Sequence, residues 1–295
     1  MAEKGTSREM LITNLGNHTP TLGAGARFVA LAFACLACNL GIPAPEFDDP
    51  EPNDLTILFI GSSYFAVNDM PGIFAQIAAD AGKQVYVRRE IRSGHYLDYF
   101  AQSGNTEAVI QEREWDFIVL QGGCQNAAYP ETHHLITPKS GYHPVYPALS
   151  ALQAKIEANY ANTRMVYMMP WAFEDGMTWA AGQTDTYDDM QQEIYDNTLA
   201  WADTLGLTIA PVGWAWRAVL NEDPPQHYLH LDDWNHPSLR GSYLSALVIF
   251  ATLFVESVED LAYHQGLDEI EAQHFQEVAT TVVLGNPELW KILPE

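Results

Sequence analysis

This sequence predicts a doubly wound α/β domain, a mostly parallel five-stranded sheet with helices on both faces, and three observations predict it. Short apolar runs recur along the chain and most close on Gly or Pro. Between them lie stretches with apolar residues at helical spacing. From residue 55 onward the two patterns alternate at least four times, as βαβ units require.

Each element has its own reason. LTILFIG (55–61) is continuously apolar and stops at Gly61, which reads as a buried strand. Residues 69–82 carry helical spacing with Pro71 early and Gly82 late. QVYVRREI (84–91) reads as a second strand, 105–114 as a helix, and DFIVLQGG (116–123) as a third strand ending in glycines. An amphipathic helix over 146–162, a strand over 164–170, a long helix over 186–205 and a strand over 207–213 follow. SYLSALVIFATLFV (242–255) is too long for a strand and too short for a membrane span, so a buried helix is expected, with a terminal helix over 268–283. In such sheets ligands bind at the C-terminal edge of the strands. Chemistry is therefore expected at Ser62 and Ser63, ahead of Gly94, at Gln121 to Asn126, at Trp171 and in the loop 222–237.

A chain of 295 residues is long enough to bury a core without a metal or disulfide staple. Its 14 Lys+Arg against 38 Asp+Glu give a net charge of −24. That surface repels phosphate backbones and anionic lipid, so neither nucleic acid nor a bare membrane is an expected partner. Three cysteines are too few for a disulfide framework. Residues 28–38, FVALAFACLAC, follow Arg27 and read as a signal-peptide core, with Ala32-Phe33-Ala34 as an A-x-A cleavage site. Export is the expectation, with membrane attachment only if Cys38 is lipidated. Residues 1–53 are expected to be leader and Pro- and acid-rich linker, and 54–295 the catalytic domain.

Two local patterns carry chemistry. Gly61-Ser62-Ser63-Tyr64 places a serine at the tip of the first strand, where hydroxyl and backbone N–H can face a ligand together. Asp233-Trp234-Asn235-His236 places a carboxylate three residues before an imidazole, a spacing that lets Asp233 fix the tautomer of His236. Ser63 is then the candidate nucleophile, His236 the base and Asp233 its orienter. The candidate oxyanion donors are the N–H groups of Ser63 and Gly94 and a side-chain amide from Gln121 or Asn126.

With these residues in view, the chain over about 54–255 resembles the SGNH/GDSL hydrolase superfamily. LFIGSSYFAVNDMP is similar to that family's first block, IRSGHYL to the second, DFIVLQGGCQN to the third and DWNHPSLRGSYLSAL to the fifth. The resemblance implies the flavodoxin-like three-layer α/β/α SGNH fold, no cofactor, a nucleophile at Ser63 and the catalytic pair Asp233 and His236. Ser62 stands where the family usually has Asp or Asn, which makes it a rival nucleophile, and Gln121 departs from the usual Gly-x-Asn block. No G-x-S-x-G elbow occurs, against the α/β-hydrolase fold.

Other residues have plainer readings. Asp232 is expected to be a solvated acid and Cys124 an inert thiol. His95 either lines the site or is a hydrogen-bonded loop histidine. His133-His134 and the pair His227 and His230 lack carboxylates at ligand spacing, so no metal is expected. Arg88, Arg89 and Arg92 are expected to pair with carboxylates rather than steer an anionic substrate. Trp171 and Trp234 are expected near the site, Trp214 and Trp216 in the core, and Trp179 in a loop. Together these readings predict an exported serine ester hydrolase removing small acyl groups, acetyl above all, from carbohydrate. A lipid ester or thioester hydrolase, an acyltransferase, or a catalytically silent glycan-binding surface protein are the alternatives.

Overall fold

Strand β1 (Leu55–Gly61) is buried along nearly its whole length, as its unbroken apolar run requires of a strand covered on both faces. The computed structural model describes residues 51, 54–128, 143–178, 186–225 and 227–292, and every structural statement concerns these. The expected leader, Cys35, Cys38, most of the linker, His133, His134 and Trp179 lie outside them. Strands β2 (Val85–Ile91), β3 (Phe117–Gln121), β4 (Arg164–Met168) and β5 (Thr208–Ala210) complete a sheet of order β2-β1-β3-β4-β5. All its pairings are parallel.

This order places a topological switch between β1 and β3, because the chain leaves β1 toward one edge and returns to build the other. The crevice opens beyond the strands' C-terminal ends there, where Gly61 meets Ser62 and where Gln121 ends β3. Gly61 is required by proximity. A Cβ on it would lie 2.8 Å from Gln121 Oε1 and 2.9 Å from the Phe65 ring.

The helices are α1 (Ser63–Ala66), α2 (Met70–Asp80), α3 (Leu97–Gln102), α4 (Gly104–Ile110), α5 (Cys124–Ala128), α6 (Val145–Asn159), α7 (Tyr187–Leu205), α8 (Val212–Leu220), α9 (Leu239–Phe254) and α10 (Glu269–Leu284). Helix α9 packs against α2, α8 and α10, and α3 against α4 and α6. Being surrounded, α9 is buried from Gly241 to Leu253, which explains its apolar sequence without a membrane. Among the described residues no helix is long and apolar enough to cross one. Ser238 starts α9 by accepting the Gly241 N–H at 3.3 Å.

The sheet and the longer helices lie where the sequence pattern puts them. One span differs in kind. The expected strand over 207–213 is only three residues long, and the chain turns at Pro211 into α8. Val212, Ala215, Trp216 and Val219 form one buried stripe at helical spacing, so WAWRAVL belongs to a helix. Helices α1, α3 and α5 have six residues or fewer, too short to show a period.

Candidate active site

Ser63 opens α1 immediately beyond β1, and His236 lies two residues before the cap of α9. Although 173 positions apart, they meet: His236 Nε2 lies 2.9 Å from Ser63 Oγ. On the other side of the ring, His236 Nδ1 lies 2.6 Å from Asp233 Oδ2. An ionised carboxylate only accepts, so Nδ1 carries the proton and Nε2 offers its lone pair to the serine hydroxyl. Asp233 Oδ1 also accepts the N–H of Asn235 at 3.1 Å and of His236 at 2.9 Å. Partial burial pushes the Asp233 carboxyl up, but the bonds from the His236 ring and from these two N–H groups outweigh it and hold the group below its ordinary range.

The loop bearing this pair is tied down from several sides. Leu231 N–H donates to His236 O at 2.8 Å and Ser238 N–H to Leu229 O at 2.8 Å. Tyr64 hydroxyl donates to Asn235 Oδ1, and Trp171 Nε1 donates to the Asn235 carbonyl at 2.9 Å. Asn68 Nδ2 reaches Pro237 O at 3.1 Å and Ser242 Oγ at 2.9 Å. Tyr64, Asn68 and Asn235 were not legible as site residues. Tyr64 and Asn235 are signalled only by standing next to Ser63 and His236, and Asn68 by nothing local.

Ser63, Gly94 and His236 line one pocket of about 350 Å³, walled in part by Tyr96, Phe173 and Cys124. Gly94 has φ +77, in the left-handed region, and a Cβ there would meet nothing within 4 Å. Its glycine is a backbone requirement, not a packing one. His95 also lines the pocket, with its ring 4.1 Å from that of Tyr99 and its Nδ1 3.2 Å from Ser93 O.

The two side-chain amides expected as donors are elsewhere. Gln121 is buried. Its Oε1 accepts Ser62 N–H at 2.7 Å and Ser62 Oγ–H at 3.2 Å, and its Nε2 donates to Gly122 O at 2.6 Å. Asn126 Nδ2 donates to His143 O at 3.0 Å. Neither lines the pocket; Gly123 and Gln125 occupy that wall instead. Ser62 is thereby held by Gln121 with no base on its hydroxyl, unlike Ser63.

Trp171 is fully buried beneath the site, stacked between Tyr64 at 4.4 Å and Trp216 at 4.1 Å, so it positions the loop and offers no face to a ligand. Trp234 is 61% exposed, does not line the pocket and has φ +61. That strained turn is what lets Asp233 Oδ1 gather the two N–H groups after it. Trp216 is buried and Trp214 stacks on Tyr195 at 4.1 Å.

The remaining candidates resolve simply. Cys124 shares a hydrogen bond with the Tyr64 hydroxyl at 2.9 Å, and burial pushes its thiol up to about 12. Arg88 pairs with Glu112 at 3.1 Å, Arg89 with Asp69 at 3.0 Å and Arg92 with Glu90 at 3.6 Å. His236 takes Asp233, not Asp232, as its carboxylate. His230 Nε2 contacts Ala172 O at 2.9 Å and stands apart from His227 as a ligand.

No family model and no curated protein matches the chain. Among solved structures, it is similar to a protein of Slackia heliotrinireducens provisionally described as an SGNH hydrolase. The TM-score is 0.53 and the identity 25%, over 67% of this chain and 98% of that one. That likeness supports the SGNH/GDSL hydrolase resemblance carried by the sequence blocks around Ser63, Gly94 and His236. The chain also shares its fold with a DUF4886 family protein from Bacteroides uniformis, at TM-score 0.62 and 18% identity over 79% of this chain and 95% of that one.

Proposed function

We propose that this SGNH-superfamily ester hydrolase is exported and removes small acyl groups, acetyl above all, from carbohydrate through an acyl-enzyme on Ser63. The observation that carries the reading is the continuous chain from Asp233 through His236 to the Ser63 hydroxyl, in one pocket at the sheet's switch point. Export rests on the 28–38 segment alone.

In the proposed course, His236 Nε2 takes the Ser63 proton as Oγ bonds to the ester carbonyl carbon. The oxyanion meets the N–H groups of Ser63 and Gly94. The C–O bond to the alcohol then breaks, and His236 returns its proton to the leaving oxygen. A water, deprotonated by His236, attacks the acyl carbon and restores the free serine. Asp233 holds the imidazole through both halves and balances its charge while protonated.

A pocket of about 350 Å³ is near the small end of ligand sites, which suits a short acyl group. The exposed Trp234 and Tyr228 beside the loop offer flat apolar faces of the kind sugars stack on. A fluorophosphonate probe tests the chemistry: labelling of the intact protein that disappears in Ser63→Ala supports it, whereas an intact protein that does not label is a binder. Ser63→Ala should cost about 10⁴-fold or more in kcat with the fold kept. Nitrophenyl esters of graded chain length test the substrate: turnover should peak at C2, and a peak at C8 or beyond defeats acetyl removal in favour of lipid esters.

A further inference from the structure

On the far side of the His236 loop, three potential ligands from separate segments converge. Glu222 follows α8, His227 lies in the loop, and His274 stands on α10. One donor atom from each lies within 4.8 Å of the others. The two imidazoles lie nearly parallel, 22° apart, with ring centroids 5.3 Å from each other. We propose that Glu222, His227 and His274 bind one divalent transition-metal ion, zinc by the donor set, that ties the loop leading to Asp233 and His236 to the terminal helix.

The expectation of no metal rested on pairing His227 with His230, and on sequence spacing. The fold instead brings His227 to the imidazole of His274, 47 positions on along α10, and to the carboxylate of Glu222, five positions before it, which completes the set. Two imidazoles and one carboxylate are the ligands that zinc and its neighbours in the transition series prefer, with a fourth position left for water. Tetrahedral zinc needs donors roughly 3.4 Å apart, so His274 Nε2 and Glu222 Oε1 must part by about 1 Å as His227 settles to the same spacing, within the reach of side-chain rotation.

An outer partner is already in place. His227 Nδ1 donates to Glu271 Oε1 at 2.9 Å, which fixes its tautomer and leaves Nε2 as the donor atom. Glu271 lies three residues before His274 on the same face of α10, and Arg240 Nε at 2.5 Å anchors it in turn. His274 Nε2 lies 2.5 Å from Glu222 Oε1. A metal would replace the proton they share, and both groups would become ligands.

The full chain, stripped with chelator and titrated with zinc chloride, should bind one equivalent that His227→Ala/His274→Ala loses, while His133→Ala/His134→Ala keeps it. The cobalt-loaded protein should show the intense visible bands of a tetrahedral site. If the double variant does not fold, Glu222→Ala at a half-buried loop position should weaken zinc about tenfold or more, and Glu271→Gln by about 10–100-fold. A wild-type chain that takes up no stoichiometric zinc, or variants that bind it unchanged, overturns the site.

Discussion

Ser62 and Ser63 show how neighbouring hydroxyls acquire different roles. Both follow β1, yet Ser63 meets an imidazole and Ser62 meets a buried amide oxygen. The amide is Gln121, whose two ends are both committed, one to Ser62 and the other to Gly122 O. Gln121→Leu would leave the buried Ser62 N–H without its acceptor, at a cost of about 1–3 kcal/mol. At this chain length that lowers the melting temperature by about 2–4 °C per kcal/mol. The hydrolysis rate per folded molecule should fall far less than in Ser63→Ala. A variant of unchanged melting temperature whose kcat drops a thousandfold would return Gln121 to the oxyanion site.

Elements, more than single residues, hold the geometry of Asp233, His236 and Ser63. The Asp233–His236 segment has no regular structure of its own, so its shape is imposed by β1, α1 and the buried stack of Tyr64, Trp171 and Trp216. Trp171→Phe keeps most of that stack and removes only the Nε1 bond to the Asn235 carbonyl. The loop then loses one of its anchors between Asp233 and His236. A loss of about 1.4 kcal/mol in positioning corresponds to about tenfold in kcat with KM little changed, checked by steady-state kinetics on the C2 ester. Equal kcat values would show that the other anchors suffice.

The molecule as a whole carries a pH dependence on its neutral side. His230 is buried against Trp216 and Tyr187. Burial holds its pKa below the ordinary value, against the smaller opposing pull of its bond to Ala172 O and of Asp233 and Asp175. A depressed folded pKa means the unfolded chain binds the proton first. The stability His230 contributes is therefore complete above about pH 6.5 and is lost as pH falls from there toward the folded pKa. Asp188 and Glu271, held below the ordinary carboxylate range, lose theirs only in stronger acid. Melting temperatures from pH 7.5 to 5 should fall more steeply for the native chain than for His230→Gln. A difference between the two that stays constant with pH would remove His230 from the account.

Composition and periodicity alone determined the parallel sheet, its long helices and the edge at which chemistry occurs, because apolar runs of strand length and helical stripes are local properties of the chain. Ser63, Asp233 and His236 were legible as candidates because each stands beside a strand end or at a telling short spacing. What only the tertiary structure decided is direction and company. Gln121 and Asn126 sit at the right place in sequence but turn their amides to backbone carbonyls, Trp171 lies beneath the site, and Val212 and Gly213 open a helix where a strand was expected to end. Likewise His227 pairs across the fold with His274 and Glu222 rather than with its near neighbour His230. Side-chain direction depends on which distant backbone polar groups need partners once the core closes, and sequence spacing does not encode that demand.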